Sequence, residues 1–392
     1  MTSVAQNSYD IGKPFGWTNC VSLAEGDKYV TDGGGVYALP MPEKIEGKKV
    51  VVLKSSGGEM GEEIKNAIKK NDIIIFDGCD GDFIIGKTMF LREIKDKTLV
   101  GRNNARLCTS FVLSPEIHSL LNAAKVLELS TDGGSQTFRL PNGSRVKEER
   151  EYAIRNILIE HLNDKEEAYR MSGVMNLSHC ENIVIRNLAF IGPGAIDVGG
   201  SDLITVRDST EHVWIDHCLF VDGMDGNIDI NGHSDFITLS WCRMTYTPRT
   251  FIHANTSLVG SSDKEEWNGE DNLNVTYAYC HWDTGCDQRM PMVRFGTVHV
   301  LNSLYTCEGN TAAVNPRYHS EVLVEGCFFG KGVKRQFRQT DSKAYMLRDN
   351  VYIEKFSEPA ASGLVSIPYL YKAMPSSEVP DIVSRYAGNS IQ

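Results

Sequence analysis

Residues 211–220, EHVWIDHCLF, and residues 235–244, DFITLSWCRM, are two versions of one pattern. Each opens on an acidic residue, runs through alternating apolar side chains and reaches a cysteine followed by a short second apolar run. The pattern recurs as ENIVIRNLAF (181–190), LNVTYAYCHW (273–282), VHVLNSLYT (298–306), EVLVEGCFF (321–329) and YMLRDNVYI (345–353). Aligned on one small position, the series stacks Asn187, Cys218, Cys242, Cys280, Ser303, Cys327 and Asn350, at intervals of 31, 24, 38, 23, 24 and 23 residues. A period in the low twenties with one short alternating strand per repeat cannot bury its inner face alone. Stacking the repeats buries it, and the architecture this predicts is an all-β solenoid, a parallel β-helix.

The flanks extend the same reading. KKVVVLKSS, NDIIIFDG, GDFIIG and KTLVGRN, between residues 48 and 103, read as short strands of the first coils. GEEIKNAIKKND (61–72) places Ile64 and Ile68 on one helix face with Ala67 beside them and Lys65, Lys69 and Lys70 outward, which suits a cap on the exposed first coil. Residues 114–170 break the period. There SRVKEEREYAIRNILIEHLNDKEEAYR carries Ile154, Ile157, Leu158 and Leu162 at helical spacing, so a lateral helical insertion is expected. Residues 355–392 are expected to pack as a tail on the last coils, giving one domain over 1–392.

A net charge of −11 excludes a general basic face for nucleic acid. No run of eighteen apolar residues is present, so no membrane span is expected. None of the ten cysteines sits in a C-x-x-C pair. Four of them belong to the repeat column, where parallel Cβ vectors favour buried free thiols over disulfides.

Against that acidic background, CDQRMPMVRFGTVHV (286–300) sets Arg289 and Arg294 beside a strand. Local pairing of Arg289 with Asp283 or Asp287 is the structural alternative. Asp202 and Asp225 lie 23 residues apart, about one coil, and Asp229 follows in DGNIDI. Hard carboxylate oxygens converging from adjacent coils suit Ca²⁺. Asp216 and His217 read as a hydrogen-bonded pair at a turn. Tyr246, Trp267 and Trp282 offer rings for packing or for sugar stacking. Asn176, Asn255 and Asn274 stand in N-x-S/T sequons.

VWIDHC, DGNIDI, SDFITLSW, GSSD and the R-x-P-x-x-R-x-G-x-x-H-V run occur together and in order over residues 175–350. In this the chain resembles the pectate lyase family. The resemblance implies a right-handed parallel β-helix and cleavage of de-esterified polygalacturonate by Ca²⁺-dependent β-elimination. It implies Asp202, Asp225 and Asp229 as calcium ligands, Arg289 as catalytic base and Arg294 as a ligand of substrate carboxylate. Arginine's ordinary pKa lies above about 12, and neighbouring cations lower it. A strong conjugate base then suits the weakly acidic C5 proton.

One departure stands out. Where the family carries a lysine after the SW strand, this chain reads SWCRMTYTPRTFIHANTSLVGSSD with none; counting from either side brings Arg249 or Asn255 to its place. Arg249 is taken as a substrate-binding candidate. Gly200 stands where some relatives carry an acid, with Asp197 as a substitute. A monomer is expected, and because a polymeric substrate cannot enter a cell, so is a secreted or periplasmic location. The opening MTSVAQNSYDIGKPFGW shows no leader, which is then expected to have been removed. The competing readings are a metal-free pectin lyase on methyl-esterified substrate and a β-helix that binds polysaccharide without cleaving it.

Overall fold

The computed structural model describes residues 8–20, 37–111, 130–132, 135–139, 145–148, 170–194, 201–250, 253–269 and 271–389. Alternating apolar side chains make each coil's strands, and three parallel sheets result. Among the described residues these hold ten, seven and nine strands. One coil shows the course. Ile204–Arg207 lies in the seven-stranded sheet, Glu211–Asp216 in the ten-stranded sheet and Leu219–Val221 in the nine-stranded sheet. The next coil repeats it with Ile228–Ile230, Asp235–Ser240 and Arg243–Thr245. Each strand pairs in parallel with its counterpart one coil away.

The core fills the lumen. Ile204, Val206, Val213, Ile215 and Phe220 are fully buried, as are Ile228, Ile230, Ile237, Leu239 and Met244 one coil on. Each such side chain contributes roughly 1.5–3 kcal/mol relative to exposure. Rings stack along the axis as well: Trp282 on Tyr305 (6.0 Å), Tyr305 on Phe329 (4.4 Å) and Phe329 on Tyr352 (4.9 Å).

The cysteine column is present, and all ten cysteines are free thiols. Cys218, Cys242, Cys280 and Cys327 each reach a carbonyl of the coil below, at 3.5–3.7 Å. The alignment is corrected at one point. Arg186 pairs with Asp216, so Leu188, not Asn187, stands opposite Cys218. Asn187 occupies the preceding turn position, where φ is 53°, and its amide donates to Gly101 O (3.1 Å). Asparagine suits both a left-handed turn and a small inward niche, so its chemistry did not distinguish the two.

That left-handed position is filled in later coils by His217, Trp241, Tyr279, Asn302, Gly326 and Asp349. Bulky residues there cost roughly 1–2 kcal/mol each. Stacking of Trp241 on Tyr279 (4.5 Å) and of His217 on Trp241 (5.8 Å) offsets part of it.

The capping helix runs over Gly61–Lys70 and buries Ile64, Ala67 and Ile68. Glu62 and Glu63 in its first turn and Lys69 and Lys70 in its last complement the helix dipole. Within the insertion, Ser130–Asp132, Ser135–Arg139 and Arg145–Glu148 form a small antiparallel sheet, so its first part is strand where helix was expected. The apolar stretch at Ile154, Ile157, Leu158 and Leu162 lies outside the described residues.

The two ends meet on the outer face. The turn Gly16–Asn19 docks on the ten-stranded sheet, with Trp17 N and Thr18 N donating to Thr276 Oγ1 (3.1 Å) and Thr238 Oγ1 (3.2 Å). Gly16 (φ 75°) is required there, because a Cβ would lie 2.7 Å from Thr276 Oγ1. The C-terminal segment travels further than the last coils. Val365 packs on Leu323 and Ala344, Tyr369 bonds Thr276 and His299, and the helix Val379–Tyr386 covers Trp241, Ala278 and Leu301. Among the described residues no helix is long and apolar enough to cross a membrane.

Candidate active site

The segments that join the nine-stranded sheet back to the seven-stranded sheet carry the candidate chemistry. They hold Asp225 (between Leu219–Val221 and Ile228–Ile230), Arg249, His253 and Asn255 (before Ser257–Val259), and Arg289 (before Met292–Val293). Asp202 stands just before Ile204–Arg207, and Asp229 points outward from the middle of Ile228–Ile230, opposite Thr205. Stacking therefore gathers residues far apart in sequence along one edge of one sheet.

Asp202 is buried; its Oδ2 accepts from Thr205 Oγ1 (3.1 Å), and its Oδ1 has no hydrogen-bond partner among the described residues. Asp229, also buried, accepts from Leu258 N (3.1 Å). Burial pushes the Asp202 carboxyl well above the usual carboxylate range, and the charges of Asp229 and Asp225 add to it. Burial likewise raises Asp229, to about 7, with Asp225 adding and Arg289 opposing.

Arg289 has φ 60°. Its guanidinium makes no hydrogen bond or ion pair among the described residues, yet its charge acts on both Asp202 and Asp229. The structural alternative fails: Asp283 is held by Arg243 and by Thr306 Oγ1 (2.7 Å), and Asp287 accepts from Thr311 N (2.9 Å). Arg294 is fixed by Asp263 of the GSSD turn (2.6 Å) and by Gly260 O (3.0 Å). Burial lowers its pKa, and the cations Arg317 and Arg289 lower it further.

Arg249 lies elsewhere. It pairs with Asp222 (2.9 Å), a fully buried carboxylate that also accepts from Thr247 N, Thr247 Oγ1 and Thr250 Oγ1. Asn255, the other residue near the absent lysine's place, sits in the site and bridges to Gln288, next to Arg289. Sequence reasoning missed two residues. Arg317 comes 23 positions after Arg294, one coil on, and this was a usable signal. His253, 3.1 Å from Asp225, left no such signal. Asp197 and Gly200 lie outside the described residues. Of the three rings, Trp282 and Tyr246 are buried, Tyr246 donating to Asn255 O, and Trp267 is 58% exposed.

The donors fit a hard cation. Among the described residues no three acidic, histidine or cysteine side chains are already drawn to ligand spacing. Two oxygens nevertheless face one space: a Cβ on Gly226 would lie 2.7 Å from Asp202 Oδ1 and 3.4 Å from Asp229 Oδ1. A partnerless buried carboxylate oxygen beside a cradle that only glycine leaves open suits an oxygen-liganded ion such as Ca²⁺.

The family model for pectate lyase matches residues 147–391. The chain belongs to the pectate lyase family. A pectate trisaccharide-lyase of Thermotoga maritima is 39% identical over 160 residues, covering 38% of this chain and 41% of that protein. Pectate lyase A of Aspergillus niger is 34% identical over 220 residues, covering 54% and 63%. The chain thus aligns with less than two thirds of the length of these pectate lyases. A pectate lyase structure from a Bacillus species, in complex with trigalacturonate, superposes with a TM-score of 0.57 at 17% identity, covering 96% of this chain and 99% of that one. This last likeness carries the fold: both are stacked parallel coils.

Proposed function

We propose that this protein is a pectate lyase that cleaves de-esterified polygalacturonate by β-elimination and requires Ca²⁺. The observation that carries the reading is Arg289, which has no ion-pair partner among the described residues and whose charge acts on two buried, electrostatically frustrated aspartates. A purely structural arginine beside carboxylates would pair with them, as Arg243 does with Asp283.

In this reading Asp202, Asp225 and Asp229 hold the ion. When bound, Ca²⁺ neutralises these carboxylates and withdraws charge from a substrate carboxylate. Arg294, held from two sides, presents a fixed cation to a uronate carboxylate and stabilises negative charge developing there. Arg289 takes the C5 proton; the electron pair forms the C4–C5 double bond and the glycosidic oxygen leaves from C4. Arg317 continues the cationic row one coil further along the polymer. Arg249 is the weakest of the assigned substrate residues, because Asp222 already holds it. The polymer's size puts the reaction outside the cytoplasm.

The test follows ultraviolet absorbance of the unsaturated product from polygalacturonate, with Ca²⁺ and with chelator, for the wild type and Arg289→Ala. Absorbance that rises only with Ca²⁺, and is lost in the variant, is the expected result. A flat wild-type trace from folded protein across uronate polymers refutes it.

A further inference from the structure

The three aspartates are not held alike. Asp202 bonds Thr205 and Asp229 bonds a strand amide, both on the rigid sheet. Asp225 rides the loop between two strands and is 39% exposed; its one recorded partner among the described residues is His253 Nε2, 3.1 Å from Oδ1. His253 comes from the next coil, nearly buried, with φ 63°. The Asn255 amide lies 2.8 Å from the same ring nitrogen. Asn255 is in turn fixed by its bridge to Gln288 and by Tyr246 OH on its carbonyl.

We infer that His253 is a positioning residue: donating from Nε2, it holds the Asp225 carboxylate in place for the cation, braced by Asn255 from the coil edge that also carries Arg289. The hydrogen-bond arithmetic supports it. A ring nitrogen that donates to Asp225 requires the Asn255 amide to turn its oxygen toward the ring. Nε2 carries one hydrogen, so Asp225 and the turned Asn255 Oδ1, a buried atom with no other partner among the described residues, share it in a three-centre bond. A loop carboxylate fixed this way arrives at the ion already ordered, and such outer partners tune affinity by about 10–100-fold.

The inference rests on the calcium reading, and the experiment separates the two. Calcium uptake is measured by titration calorimetry without substrate, and the calcium midpoint of activity is measured with it. The proteins are wild type, His253→Ala, His253→Gln, Asp225→Asn and the double variant His253→Ala/Asp225→Asn. His253→Ala is expected to weaken uptake about 10–100-fold and to raise the activity midpoint, with kcat at saturating calcium nearly retained. His253→Gln, whose amide reaches the same place, recovers most of the affinity. In the Asp225→Asn background the alanine change adds nothing. Should His253→Ala fail to fold, His253→Asn, polar but too short to reach Asp225, takes its place. Unchanged uptake in the disruptive variant, or losses that simply add in the double variant, overturns the inference alone. A wild type that forms product without taking up calcium overturns both.

Discussion

Two sites built on buried aspartate sit on different faces of this β-helix, and they behave oppositely. On the outer face, Asp216 receives Arg186 (2.7 Å), His217 Nδ1 (2.8 Å) and Ser240 Oγ, with Arg186 lying 4.6 Å from the centre of the Trp214 ring. Burial alone would raise that carboxyl, but the charges of His217 and Arg186 win and bring it down to about 2. At the candidate site the same burial is only partly offset, by Arg289 and the Leu258 amide, and Asp229 rises to about 7. Desolvation is common to both, and the presence of partners separates a brace from a site that awaits one.

Substitutions at four positions would break or sharpen that contrast. The largest effect belongs to Arg289→Ala, expected to lower kcat by about 10²–10⁴-fold with an unchanged melting temperature; a parallel loss of stability would make it a brace like Arg186. Next is Asp216→Ala, which strands a buried guanidinium and is expected to cost about 3–5 kcal/mol in urea unfolding. The Asp216 pKa is depressed in the fold, so its contribution is present above the unfolded value near 3.8 and is lost as pH falls toward about 2. Melting curves of wild type and Asp216→Asn should therefore converge across that acid window.

Asp229→Asn tests the other sign. A raised carboxyl pKa subtracts stability as pH climbs from the unfolded value toward about 7 and beyond. In chelator the variant is expected to exceed the wild type by up to roughly 4 kcal/mol above neutrality and to match it in acid. Added calcium should reverse the order, since only the wild type binds it well. A variant no more stable than wild type in alkaline chelator would mean the site is not frustrated. The smallest effect is Arg249→Ala. Half exposed, and sharing Asp222 with two threonines, it is expected to change KM by about threefold or less, near 0.5 kcal/mol; a tenfold rise would restore it to the substrate groove.

The repeat was legible because side-chain alternation and a recurring small residue are local properties. Yet the coil containing Asn187 was read one residue out of register, and backbone pairing alone corrected it. Asp202 and Asp225 drew notice because their separation is one coil, and Asp229, Arg289 and Arg294 because the motifs that hold them resemble a family's. His253 could not, since a histidine inside an irregular 38-residue interval has no period to mark it. Trp282 offered a ring for packing or for sugar stacking, and burial in the ring stack settles it as packing, a choice the apolar content alone does not make because it does not say which face a strand turns inward.

The sequence by itself determined the coils, the apolar lumen and the free thiols of the repeat column, all consequences of side-chain type at a regular spacing, while the choice of carboxylates and arginines came from the resemblance of their motifs to a family. Tertiary structure decided which charges meet. It sent Arg249 to Asp222, Arg243 to Asp283 and Arg294 to Asp263, and left Arg289 facing Asp202 and Asp229. Each pairing depends on distances of a few ångströms between coils, set by loops whose lengths differ, and Coulomb and hydrogen-bond energies change over that same range.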